Sequence, residues 1–455
     1  MKVVDIVCIA GMAATLAGDV EAVDFLFTAT PNGNWNVVAN WNEGTRVPGA
    51  GDTATVKNTG TVLITQDQSA STLILGSGGN GHAELSGGTL STTSSKVGDV
   101  GCTVTFMQTG GAHAISSWLY LAESDNASGT YHLQGGSLQA LSERIGFRGT
   151  GRFIQTGGTN TVGDDLIVNT EGTPTCSYAM SNGVLSVKDR ETVGAYGKGT
   201  FAQHDGIHSV GGQLRVGENA TGSFAIHGGS LSATGVVYVG YSASGSYEQT
   251  GGSVAALGDV VVGKNAAGIG TGSLSGGTMT IGNRLVLGEA AGSRGAFELS
   301  GGTLTIASGI EPLAGSPSFA FLGGTLHTGF VGAGLGALTN QAGVLAPGVS
   351  IGETTFYCNY VQKPEGTLQI ELDDTAIDVV KNITYATLDG RLDVVLQDGF
   401  EPEAGWISAP FLKTINGISG AFAKVTPRWS VDVSANGKEL RLKRLPPNGT
   451  VVVVR

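Results

Sequence analysis

A glycine pair, in two places Asn-Gly or Asp-Gly, returns every 22 to 25 residues from Gly87-Gly88 to Gly323-Gly324. Between them stand Gly110-Gly111, Gly135-Gly136, Gly157-Gly158, Asn182-Gly183, Asp205-Gly206, Gly228-Gly229, Gly251-Gly252, Gly276-Gly277 and Gly301-Gly302. Self-similarity at this period marks a stacked repeat, in which each unit buries its apolar face only against its neighbours.

Each unit carries the same strand signal. Four residues before the first position of the pair stands an aromatic in nine of eleven units, from Phe106 and Tyr131 to Phe319; Ala83 and Gly272 are the exceptions. Two residues later comes Leu85, Gln108, Leu133, Gln155, Met180, Gln203, Ile226 or Gln249, so spacing by two puts both residues on one face of a strand. Val97-Gly98, Ile145-Gly146, Val193-Gly194 and their counterparts close the units with another strand, leaving no room for a helix. The chain is therefore read as all-β, a parallel β-helix (β-solenoid) of about 23–24-residue coils with an aromatic ladder inside, stacked at ~4.8 Å per coil.

A second period rides on the first. Gln occupies every second unit of that column, and Leu90, His113, Leu138, Asn160, Leu185, His208 and Leu231 alternate in the same way after the glycines. This pattern suggests duplication of a two-coil unit, with a polar residue in every second coil opposing register slippage.

Residues 1–22 read as a signal peptide, with Lys2, an apolar stretch to Leu16-Ala17 and small residues at Val20-Glu21-Ala22. A buried first strand is the alternative. Export places the protein outside the cell or on a bacterial surface. Residues 23–86, with Trp35 and Trp41, read as an N-terminal cap and irregular first coils, 87–330 as regular repeats, and 331–455 as β-rich C-terminal coils and a cap. No later segment has the ~18 apolar residues of a membrane span. Charged residues are only 14% and the net charge is −12, with no Lys/Arg cluster, which excludes nucleic acid and anionic membrane as partners. Cys102 and Cys176 lie three repeats apart, roughly 14 Å. That is beyond disulfide reach, so they and Cys358 read as free, buried thiols.

Beyond Phe330 come Gln341-Ala342-Gly343-Val344-Leu345-Ala346-Pro347-Gly348, Gly366-Thr367-Leu368-Gln369-Ile370-Glu371-Leu372, Leu388-Asp389-Gly390-Arg391-Leu392-Asp393-Val394 and Ile418-Ser419-Gly420-Ala421-Phe422. With the glycine repeats, these segments resemble bacterial cell-surface β-helix proteins built from autotransporter-associated strand repeats, over roughly residues 30–443. The resemblance implies an exported, elongated, passenger-like protein, often adhesive, with no shared catalytic motif. This sequence departs from that family in showing no translocator barrel.

Chemistry is sought on the outer corners. Glu143 and Asp165 fall eight residues after their glycine position and Glu191 nine, which predicts one acidic column on consecutive coils, ~5 Å apart. Paired glycosidase carboxylates sit about 5–9.5 Å apart. The alternative is a solvated acidic corner balanced by Arg144 and Arg190. His204 and His227, one coil apart, are the metal-ligand candidates, although only Asp205 stands beside them as a third ligand; a tolerant turn position is the other reading. No phosphate-binding loop, nucleophile elbow or paired-cysteine zinc motif is present, and no cofactor is expected. The functional reading is an exported structural or adhesive surface protein that meets an extracellular polysaccharide or surface glycoprotein. A carbohydrate-active β-helix enzyme, a polysaccharide lyase or glycosidase, is the alternative.

Overall fold

A computed structural model describes residues 22–172 and 174–447, so the expected leader up to residue 21 and the last residues, 448–455, lie outside the described part. The described chain is a β-solenoid of about 15 turns whose strands join in one continuous sheet. Two 3-10 turns, Val38–Asn40 and Ala333–Leu335, are the helical elements among the described residues.

The sequence left the number of strands per coil open; the regular coils have three. Gly199–Gln203, Ile207–Val210 and Leu214–Val216 form one coil, and the next coil repeats them as Gly222–Ile226, Ser230–Ala233 and Val237–Val239. The coils pair in parallel and in register, Phe201 on Phe224, His208 on Leu231 and Leu214 on Val237. Thr200 and Ala202 are half-buried while Phe201 and Gln203 are buried, as period-two alternation requires.

The glycine pair makes the first corner, and its strict member is the second glycine. The two positions differ in φ, which is +70° at Gly229; a Cβ would come 2.3 Å from a preceding-coil carbonyl oxygen at either, Gly206 O for Gly229 and His204 O for Gly228. The first position has no positive φ, so Asn182 and Asp205 are tolerated there, each side-chain oxygen accepting from the following glycine N–H at 2.7 Å. Gly229→Val is accordingly expected to lower stability by at least ~2 kcal/mol in denaturant titrations, with Gly228→Asn losing less.

Inside, the aromatic ladder forms as read from the sequence. Phe106, Tyr131, Phe153, Tyr178, Phe201 and Phe224 stack at 4.5 to 5.2 Å between centroids, within 18° of parallel. Each such contact adds about 0.5–1.5 kcal/mol beyond the area it buries. At the Gly272 exception the Phe297 ring takes the vacated space, since a Cβ on Gly272 would sit 2.6 Å from Phe297 Cδ2.

Near the N-terminus, Phe25, Phe27, Trp35 and Trp41 form a buried edge-to-face cluster, with Trp41 Nε1 donating to Trp35 O at 2.8 Å. Parallel stacking stops in the last segment, where the hairpin Trp429–Val433 and Glu439–Arg444 pairs antiparallel with Ile407–Gly420. Cys102, Cys176 and Cys358 are free and buried, as expected.

Candidate functional site

The acidic column expected on an outer corner does not form. Glu143 aligns with Leu119 and Leu166, and Leu166 aligns with Glu191, so the two glutamates share an inward column two coils apart. Both are fully buried. Asp165 precedes Leu166 and faces outward. The reason is local: the strand Ser137–Ile145 shifts register between Ala140 and Ser142, which changes the residue count from the glycine pair to the third strand. A fixed offset from the glycines therefore picks opposite faces in successive coils.

Asp165 instead pairs with Arg190, and its carboxylate lies within 4.8 Å of those of Asp164 and Asp189. Ser142 Oγ donates to Asp164 at 3.3 Å. This is the balanced acidic corner, displaced from the residues first named. His204 and His227 do stack, at 4.9 Å and 23°, but both are exposed, and His227 Nδ1 meets Thr250 Oγ1 at 2.9 Å one coil further on. No third ligand side chain joins the two histidines among the described residues. The column behaves as a turn position shared by His and Thr.

What the solenoid does gather is an internal chain of polar groups, repeated three times at the two-coil period. Ser95, Glu143 and Glu191 come from third strands, exactly two coils apart in sequence at 48 residues each. Each meets a polar residue of the following coil: Ser95 Oγ and His113 Nε2 at 3.1 Å, Asn160 Nδ2 to Glu143 Oε2 at 3.2 Å, and His208 Nε2 with Glu191 Oε2 at 2.8 Å. The alternating glutamines complete the chain. Gln108 Nε2 donates to Ser137 O at 2.9 Å, Gln155 Nε2 to Val184 O at 3.0 Å and Gln203 Nε2 to Ser230 O at 3.1 Å, tying each coil to the turn of the next. Every second coil is thus tied to the next by a side-chain hydrogen bond.

Burial sets the charges. Desolvation raises Glu143 to about 8 against the opposing hydrogen bond from Asn160, so it is a neutral acid at pH 7. Desolvation lowers His113 to about 3, leaving it neutral. Tyr131 donates to Gln108 Oε1 at 2.6 Å and sits 3.0 Å from His113 Nδ1; the phenol oxygen therefore accepts from an Nδ1–H, and Nε2 accepts from Ser95. These groups are enclosed by the coils and serve the core.

The three outer faces differ. The first carries the outward column Thr200, Ser223, Ser246 and Thr271, and the second carries pairs such as Ser230 with Ser232, Thr278 with Thr280 and Thr303 with Thr305. The third face holds a set of aromatic rings against basic side chains, while Ile207, 57% exposed, lies in the Ser230 column of the second. Arg144 lies 4.5 Å from the Trp118 ring and 5.0 Å from Phe147, and Trp118 stacks on Tyr120 at 5.8 Å. Three to five coils on from Arg144, Arg215 lies 4.6 Å from Tyr241, Lys264 lies 5.8 Å from Tyr238, and the two tyrosines meet edge-on at 5.1 Å. Between these groups Tyr196 is 68% exposed. Ion pairs link coils along this side, Lys96 with Glu123, Arg148 with Glu171 and Lys264 with Glu289. Arg144 has no acidic partner among the described residues.

On the first face, Glu248 and Glu298 align above and below Ser273, roughly 10 Å apart by strand spacing. They border a shallow pocket of about 460 Å³ with Thr271 and Ser246. Sequence reasoning passed over both, because neither has a neighbour of its kind in the chain.

No family profile matches this sequence, and no curated protein matches it significantly.

Proposed function

We propose that the protein is an exported structural or adhesive solenoid that binds an extracellular polysaccharide or surface glycoprotein along its third face. The observation that carries this reading is a gathering of aromatic rings: Trp118, Tyr120 and Phe147 around Arg144, and Tyr238 and Tyr241 beside Lys264 and Arg215, with the exposed Tyr196 between the two groups in the chain. Flat rings with polar neighbours suit the apolar faces and hydroxyl rims of sugar rings. Cation–π contacts and ion pairs between coils hold these side chains in place before binding, which reduces the ordering cost.

The test is retention on immobilised glycans with the double variant Trp118→Ala, Tyr196→Ala. Affinity is expected to fall at least ~10-fold, corresponding to about 1.4 kcal/mol, with little change in unfolding midpoint. Undiminished binding by the variant would remove the third face from the account.

A second reading, turnover of a polysaccharide, draws support from the Glu248 and Glu298 pocket rather than from Glu143 and Glu191, which the coils enclose. Their strand spacing of roughly 10 Å lies just beyond the ~6.5–9.5 Å of an inverting pair, so the two side chains would have to lean toward each other. Glu248→Gln and Glu298→Gln would each abolish such turnover.

A further inference from the structure

Three copies of one buried polar arrangement can be compared inside this chain, and the third lacks the tyrosine hydroxyl that the other two share. In the first, the Tyr131 hydroxyl bridges Gln108 Oε1 at 2.6 Å and His113 Nδ1 at 3.0 Å. In the second, the Tyr178 hydroxyl bridges Gln155 Oε1 at 2.6 Å and Asn160 Nδ2 at 3.3 Å. In the third, the glutamine is Gln203, the partner is His208, and the ring from the following coil is Phe224, which has no hydroxyl. The two atoms that a phenol oxygen would join, Gln203 Oε1 and His208 Nδ1, are both buried and both lack a hydrogen-bond partner.

Neither atom can be satisfied by turning its own side chain. Gln203 Nε2 is committed to the carbonyls of Gly206 and Ser230, each at 3.1 Å, so an amide flip would set oxygen against oxygen. His208 is held by Glu191 through Nε2 at 2.8 Å and lies against the Phe201 ring at 4.9 Å and the Phe224 ring at 6.1 Å. Elsewhere in the column the rule is kept even where the geometry changes. Gln249 Oε1 and Gln362 Oε1 each accept from a tyrosine of their own coil, Tyr247 and Tyr360, at 2.9 Å. Gln203 is the member of this column with no tyrosine.

We infer that this position is a binding site for a single internal water molecule, held between Gln203 Oε1 and His208 Nδ1 beside the Phe224 ring. The chemistry selects water. The ligand must donate to the amide oxygen, and it must either donate to a bare Nδ1 or accept from an Nδ1–H. Water does both, and a buried water needs two to four such partners. In the two earlier copies a tyrosine hydroxyl fills this point, whereas in the third the Phe224 ring, which has none, lies against His208. The site goes beyond the proposed binding function, because it lies inside the coils and shares no residue with the third face.

The experiment is a pair of crystal structures, wild type and Phe224→Tyr, at a resolution that places ordered water. The wild type is expected to show one water within hydrogen-bonding distance of both atoms. In Phe224→Tyr the phenol oxygen is expected at that same point, with the water gone and the unfolding temperature unchanged or raised. Absence of water in the wild type, with Gln203 or His208 turned to another partner, overturns the inference. So does a Phe224→Tyr structure in which water and phenol oxygen occupy different places. The wild-type structure decides by itself if the variant does not fold.

Discussion

The folded protein is expected to be more stable at pH 5 than at pH 9. Glu143 is raised from 4.5 to about 8 by burial, and Asp378 from 3.8 to about 7 by burial, against hydrogen bonds from the Glu371 and Gly352 amides. Between the unfolded and folded values of each group, the native state holds a proton that the unfolded chain has lost. These two groups therefore make stability fall as pH rises from about 4 to 8 and add no further slope above that. For Glu143 a shift of that size corresponds to roughly 4–5 kcal/mol as an order of magnitude. Two groups act in the opposite sense on the acid side. His113, at about 3 against 6.5, costs stability progressively as pH falls below 6.5. Asp52 is held at about 2 by the Arg46 guanidinium together with the Gly49 and Val23 amides, and its contribution is lost as pH falls from 3.8 toward 2. The four together place the optimum near about pH 4–5.

Glu143→Gln isolates the main cause. Glutamine is isosteric with the protonated acid and needs no proton to stay neutral, so the variant is expected to gain several kcal/mol at pH 9 and almost nothing at pH 5. Denaturant midpoints at the two pH values measure this directly. Asp378 leaves a residual slope. A variant whose midpoint shifts with pH as much as that of the wild type would show that Glu143 is not the group responsible.

The second large effect is expected from Phe201→Asp. Phe201 is buried in the middle of the ladder, 5.0 Å from Tyr178, 4.6 Å from Phe224 and 4.9 Å from His208. Removing the ring costs about 3–5 kcal/mol, and the unpaired carboxylate adds several more. In a solenoid each coil is stabilised by its two neighbours, so the loss falls on both interfaces of this coil and divides the stack there. Limited proteolysis is expected to cut the variant near residue 201, whereas Phe201→Leu stays resistant. A variant as resistant as the wild type would contradict the inward assignment of the ladder.

Much of this fold was legible because its rules are local and repeated. Spacing by two placed Phe201 and Gln203 inward, and the second glycine of each pair marked a corner whose φ only glycine adopts freely. The face of Glu143 was not legible from its distance to a glycine, because the register shift after Ala140 changes that count. A better signal was present: Ser95, Glu143 and Glu191 recur at 48 residues, the same double-coil period as His113, Asn160 and His208. Reading those two columns together would have paired them inside the coil. The third face was hidden for another reason. Trp118, Phe147, Tyr196 and Tyr241 occupy different positions in their repeats, and only the three-strand coil brings them to one side.

The account turns on what that side does. The deciding measurement is a binding and turnover screen of the protein against polysaccharides and surface glycoproteins, run beside the Trp118→Ala, Tyr196→Ala variant. Binding without turnover, lost in the variant, is the predicted result. Release of reducing ends or unsaturated sugars, or binding that survives in the variant, would contradict it.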